Sequence, residues 1–138
     1  MESSGLEAEE LTLRSFAVES RRDRLASVVW TKKRYRELVG WLAHGHPWDP
    51  RWATRLAVAD QQPDAVERIL KARGAPDRCH VLGGSSDVDG KDFELRDALD
   101  LVVGCSMGVL VICVPGRLAY HEGEERHDRN VLHRPGGR

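Results

Sequence analysis

The run Val109-Leu110-Val111-Ile112-Cys113-Val114, closed by Pro115-Gly116 and followed by Arg117-Leu118-Ala119-Tyr120-His121, decides the fold class. Six consecutive apolar residues ending at a turn pair have the length of a buried strand, and four of them are β-branched. Successive side chains of a strand point to opposite faces, so this strand is apolar on both and belongs in the centre of a covered sheet. Proline and glycine at the two central positions suit a type II turn. Such a turn matches strand twist less well than the primed types, so a bulge or a wider loop is expected there. Leu118 to His121 then returns as a second strand.

Reading outward from this hairpin, Asn130 to Arg134 supplies a further strand before a frayed Gly-Gly-Arg end. Upstream, Leu95, Ala98, Leu99 and Val102 sit at helical spacing and stop at Gly104. Cys79 to Leu82 is a short strand, ended by Gly83-Gly84, and Ser85 to Gly90 is a polar loop. Between Pro47 and Pro76 two short helices are expected. Asp49-Pro50 caps the first, lined by Trp52, Leu56 and Ala59; Gln62-Pro63 opens the second, lined by Val66, Ile69 and Leu70. From about Arg22 to His44 one longer helix is predicted, with Leu25, Val28, Tyr35, Leu38, Val39 and Leu42 on its inner face. Residues 11–19 fit a bulged strand and the first turns of a helix equally. Residues 1–10 are small and acidic and read as a mobile tail. The expectation is therefore a single α+β domain over 11–135, with N-terminal helices packed on a small, mainly antiparallel sheet formed by the C-terminal half.

At 138 residues, with 41% hydrophobic and 31% charged side chains, the chain can bury a core without disulfides or structural metal. The formal net charge of −1 gives no global bias towards nucleic acid or anionic lipid. The three cysteines are odd in number and show no C-x-x-C spacing, which fits reduced thiols and a cytoplasmic location. The acidic N-terminus lacks the apolar stretch of a signal peptide. No apolar run is long enough to span a bilayer, so a membrane partner is not expected.

Motifs that carry chemistry are sparse. His44-Gly45-His46-Pro47-Trp48-Asp49 places two imidazoles and a carboxylate within six residues. His44, His46 and Asp49 could hold a divalent transition metal with help from His80, His121 or His127. A loop built on Gly45 and Pro47 does not bring both rings to one ion as a strand would, and a helix-ending corner explains the same residues. Asp87-Val88-Asp89-Gly90-Lys91-Asp92 lacks the glycine and glutamate positions of a calcium loop and reads as a turn, with Asp92 capping the next helix. Gly83-Gly84-Ser85-Ser86 lacks the lysine of a phosphate loop. Cys105 follows a helix C-terminus, whose partial negative charge works against a thiolate. No Ser-His-Asp or Cys-His set is readable, and no cofactor is implied.

Two features bear on partners. Arg21, Arg22, Arg24, Lys32, Lys33, Arg34 and Arg36 crowd the segment 21–36, with Trp30 and Tyr35 among them. Such a stretch can meet phosphates, and salt-dependent nucleic-acid binding is a third reading. The overall charge and the acids Asp64 and Glu67 on the following helix argue against it. Trp30, Trp41, Trp48 and Trp52 fall within 23 positions. On the single helix predicted above, Trp30 and Trp41 lie opposite the apolar face, about three turns apart. The expected interface is therefore Trp30, Lys33, Arg34, Trp41 and Trp48, facing an acidic protein partner or a second copy. A second layer covering these indoles would make them core instead. The functional expectation is a non-enzymatic protein-interaction or regulatory module, with a metal-binding protein or metalloenzyme as the alternative.

Overall fold

The alternation read from Val109 to Val114 divides the interior into two cores. Val109, Val111 and Cys113 pack with Val66, Leu70, Leu95, Leu99, Val102 and Tyr120. Leu110 and Ile112 pack with Leu13, Phe16, Leu25, Leu38, Leu42 and Leu132. A computed structural model describes residues 2–135, with side chains over 5–135; the Gly-Gly-Arg end lies outside the described residues. Its elements run α1 (Glu2–Phe16), α2 (Glu19–Val28), α3 (Arg34–His44), β1 (Ala53–Arg55), a 3-10 turn (Val58–Asp60), α4 (Pro63–Ala72), β2 (Arg78–Gly83), β3 (Asp92–Glu94), α5 (Leu95–Val102), β4 (Val109–Val114), β5 (Leu118–Glu122) and β6 (Arg129–His133). The fold is α+β. The six strands among the described residues form one antiparallel sheet in the order β1-β6-β5-β4-β2-β3. The helices α1 to α3 supply one core and α4 with α5 the other, so the sheet is the middle of three layers. No described helix is long and apolar enough to cross a membrane.

The β4–β5 hairpin holds as expected. Gly116 has φ +75°, the left-handed value a type II turn demands at its second central position. The ladder slips between Ile112 and Val114, which is the bulge that relieves the mismatch in twist.

Four local expectations are corrected. Residues 2–10 are not a tail but the first turns of α1. The buried stripe of that helix is Leu6, Glu9, Leu13 and Phe16, and Glu9 is fully buried. A carboxylate in an inward position hides the helical period until its partners, Arg34 and His80, are known. The single helix over 22–44 breaks at residues 29–33. Ser27 and Thr31 hydroxyls donate to the carbonyls of Arg24 and Val28, competing with helix continuation. The expected helix after Asp49-Pro50 is instead a turn into β1. The Asp49 carboxylate accepts the Arg51 N–H at 3.0 Å, and Trp52 N–H donates to the Asp49 carbonyl. Aspartate-proline starts turns as readily as helices. Finally, Asp92 is no cap: it lies in β3, paired with His80 of β2.

Candidate functional site

The break between α2 and α3 disperses the five residues expected to form one surface. Trp30 sits in the intervening turn, 48% exposed, with its indole N–H donating to Glu10 at 2.8 Å. Lys33 is exposed beside it. Trp41 is half-buried, with the Arg21 guanidinium stacked 4.5 Å from its ring centre. Trp48 is core, edge-on to the buried His121 ring at 5.2 Å.

Arg34 faces inward. Its guanidinium donates to both oxygens of Glu9, at 2.8 and 2.7 Å, and to Asp89. Glu9 also reaches His80 Nε2 at 2.7 Å, and Asp92 lies 2.6 Å from His80 Nδ1. Burial alone lowers the His80 pKa, but the hydrogen bonds to Glu9 and then Asp92 outweigh it and leave the imidazole more basic than usual. A histidine raised on folding stabilises fully below its unfolded pKa of about 6.5, and that contribution disappears as pH rises through the folded value. The stability deficit of His80→Gln, read from urea melts, is therefore expected to shrink as pH rises from about 6 towards 9. A deficit constant over that range would show that His80 does not carry the charge.

The three residues considered for metal also separate. His44 Nδ1 lies 3.0 Å from Glu124, and His46 Nδ1 lies 3.4 Å from Asp128 Oδ2. Asp49 is held by the Arg51 side chain and backbone N–H, which keep its carboxyl well below the usual carboxylate range. Among the described residues no three His, Cys, Asp or Glu side chains converge as a metal site.

What the loop does build is a cleft of about 240 Å³, lined by His46, Trp48, Pro50, Ala53, Arg55, Asp128 and Asn130. Several constraints place these groups. Ala17 and Trp48 form an isolated bridge that ties the loop to the end of α1. His46 takes a left-handed backbone, φ +46°, unusual for a residue with a side chain and a sign that packing dictates the loop. The loop after β5 folds back so that the Asp128 carboxylate rests on Gly123, where a β-carbon would stand 2.2 Å from Oδ2. Asn130 Nδ2 donates at 3.1 Å both to Asp128 Oδ1 and to His121 Nδ1, while His121 Nε2–H donates to the Leu42 carbonyl at 2.7 Å. Burial lowers the His121 pKa further than the Leu42 carbonyl and nearby carboxylates raise it, so the ring stays neutral. Asp128 is thus fixed from one side only. Its Oδ2 is buried with no hydrogen-bond partner among the described residues, and so is the Trp48 indole nitrogen. The exposed His46 ring, too far for a good bond, is the cover over that oxygen.

Two other buried polar atoms, Trp52 Nε1 and Arg129 Nε, also have no hydrogen-bond partner among the described residues, but they belong to residues outside the cleft. Glu122, fully buried, accepts from the N–H groups of Gly104 and Ser106 and from the Tyr120 hydroxyl. Gly104-Cys105-Ser106-Met107-Gly108 has the spacing of a hydrolase elbow, and Ser106 has φ +59°. Here, however, the turn runs from helix to strand, and the Ser106 hydroxyl meets Arg129 rather than an imidazole. Burial pushes the Cys79 thiol up to about 11 and raises Cys105 and Cys113 as well, so none of the three is a thiolate at neutral pH.

The sequence reading found His46 and Trp48 but not Asp128, Asn130 or Arg55. Arg55 and Asn130 meet only through strand pairing, opposite each other in the β1–β6 ladder, and the Asn130 amide holds Asp128 beside them. Comparison with known proteins finds no matching family model, and no curated protein or solved structure matches the chain.

Proposed function

We propose that this chain is a non-enzymatic protein-interaction module whose docking point is the cleft under His46. One observation carries the reading: of four buried side-chain polar atoms without a partner among the described residues, two, on Asp128 and Trp48, belong to residues that line one cleft. Leaving such atoms unsatisfied costs about 1–3 kcal/mol each, and native chains avoid it unless something else supplies the bond. These two orphans are one acceptor and one donor. A primary amide, as in Asn or Gln, offers the complementary donor and acceptor in a single group. Size points the same way. Sites for drug-sized ligands run from about 300 Å³ upwards, whereas about 240 Å³ suits one inserted side chain. The cleft offers one imidazole and no nucleophile, which favours binding over catalysis. Free Cys79, Cys105 and Cys113 fit a reducing compartment such as the cytoplasm.

The test is selection of a displayed random-peptide library on the full chain, followed by NMR titration. Four tryptophans give four separable indole N–H signals, so Trp48 can be followed on its own. Selected peptides are expected to move the Trp48 signal. Asp128→Asn replaces the orphan acceptor with a donor and should weaken them about tenfold or more, as loss of a charge-assisted hydrogen bond does. Selected peptides that leave the Trp48 indole unmoved overturn the proposal.

A further inference from the structure

The cleft borders an unpaired strand edge, and we infer that the partner enters as an extended segment added alongside β1, placing an Asn or Gln side chain in the cleft and a carboxylate on Arg55. The inference rests on the cleft being the docking point and adds how the partner's backbone is held.

The register of β1 sets the geometry. Thr54 pairs with Val131, His133 N–H donates to the Trp52 carbonyl at 2.9 Å, and Leu56 N–H donates to the Arg129 carbonyl at 2.8 Å. The Trp52 carbonyl, Thr54 and the Leu56 N–H therefore turn towards β6. In an antiparallel ladder the alternate residues point the other way. Ala53 and Arg55 thus present their N–H and C=O groups outward, and among the described residues no hydrogen bond reaches them. An added strand can take all four, which is the chemistry of strand addition at an exposed edge.

The same two residues line the cleft. Ala53 and Arg55 share a face of β1, since side chains two apart in a strand point to one side. An added strand follows the same pleat, so its residues at positions i and i+2 lie over the cleft and beside Arg55. The first meets Asp128 and Trp48, which calls for an amide. The second meets Arg55, an exposed guanidinium with no carboxylate partner among the described residues, which calls for Asp or Glu.

The opposite edge does not offer this. Lys91 bonds Val81 of β2 and Leu95 bonds Asp77 just before it, so the backbone groups of Asp92 and Glu94 face outward there, and their carboxylates are already engaged, by His80 and Arg78. Charged residues on a short strand are a usual guard against edge pairing. At β1 the guard is Arg55 alone. It works against a second copy paired in the register that sets Arg55 opposite Arg55, where like guanidinium groups meet. It does not exclude an acidic segment.

The experiment uses the tightest display-selected peptide and the full chain, and reads amide hydrogen exchange together with affinity. Peptide binding is expected to slow exchange at Ala53 and Arg55 by at least about tenfold, because both amides gain a partner. Arg55→Pro removes an outward N–H that β6 does not use, a change edge strands tolerate. It should weaken the peptide about tenfold or more. Arg55→Glu keeps the backbone intact should the proline variant fail to fold. It is expected to weaken a Glu-bearing peptide and to strengthen its Lys-substituted counterpart. If the Trp48 indole signal moves while Ala53 and Arg55 exchange as before, strand addition is overturned and the cleft survives as the docking point. If neither responds, both readings fail. Protection of Ala53 and Arg55 that grows with protein concentration in the absence of peptide would make the occupant a second copy and overturn the assignment.

Discussion

Replacing Arg34 with alanine is expected to cost about 3 kcal/mol of stability, the lower end of what breaking a buried ion pair removes. The guanidinium holds two carboxylates from distant parts of the chain, Glu9 of α1 and Asp89 of the loop between β2 and β3. Their side chains are 0% and 11% exposed, and that of Arg34 is 14% exposed. Alanine leaves the Glu9 charge buried with only His80 to face it, and the penalty for that uncompensated charge exceeds anything the pair contributed by attraction. The residual solvent contact of Arg34 and Asp89 is why the lower figure applies. Arg34→Lys should recover only part of the loss, since one ammonium cannot bind both oxygens of Glu9 and still reach Asp89. Urea denaturation of the three proteins measures this. A loss below about 1 kcal/mol for the alanine variant is the value of a surface pair, and would return Arg34 to the exposed interface suggested by the sequence.

Gly108→Ala should lose about as much, about 3 kcal/mol, by a different mechanism. A β-carbon there would stand 2.4 Å from both the Val39 carbonyl oxygen and the Ala43 nitrogen. Those atoms belong to the backbone of α3, so no side-chain rotation relieves the clash and the helix must move off the sheet. Overpacking costs about 1–3 kcal/mol where side chains can adjust, and a backbone obstacle places this site at the top of that range. The displacement should also reach Leu42, whose carbonyl is the anchor of His121. A near-native melting temperature for Gly108→Ala would mean that α3 sits less tightly on the strand than these distances require.

These sites show where sequence reading stops. The β4–β5 hairpin was legible because its signal is local: six apolar residues, a Pro-Gly turn and a returning strand. α4 and α5 were legible for the same reason, each with an apolar stripe at helical spacing. α1 was not, because one inward position is the carboxylate of Glu9, and a buried acid makes sense only once Arg34 and His80 are placed beside it. β1 was read as a helix because Asp49-Pro50 opens helices and turns alike, and only the pairing with β6 selects the strand. The interface residues were placed on one helix that the hydroxyls of Ser27 and Thr31 interrupt.

The amino-acid sequence by itself determined the α+β class, the central apolar strand and its bulged hairpin, because propensity, turn chemistry and alternation act over a few neighbouring residues. It also settled that His46 and Trp48 share a loop. Tertiary structure alone decided which polar groups are satisfied. Asp128 lies 82 positions beyond His46, and its Oδ2 is orphaned only because the β5–β6 loop folds onto Gly123 under that ring. Likewise Ala53 and Arg55 became an open edge only when the Trp52 carbonyl, Thr54 and the Leu56 N–H had turned to β6. Hydrogen bonding between distant segments is a property of where the chain arrives, which local pattern does not encode.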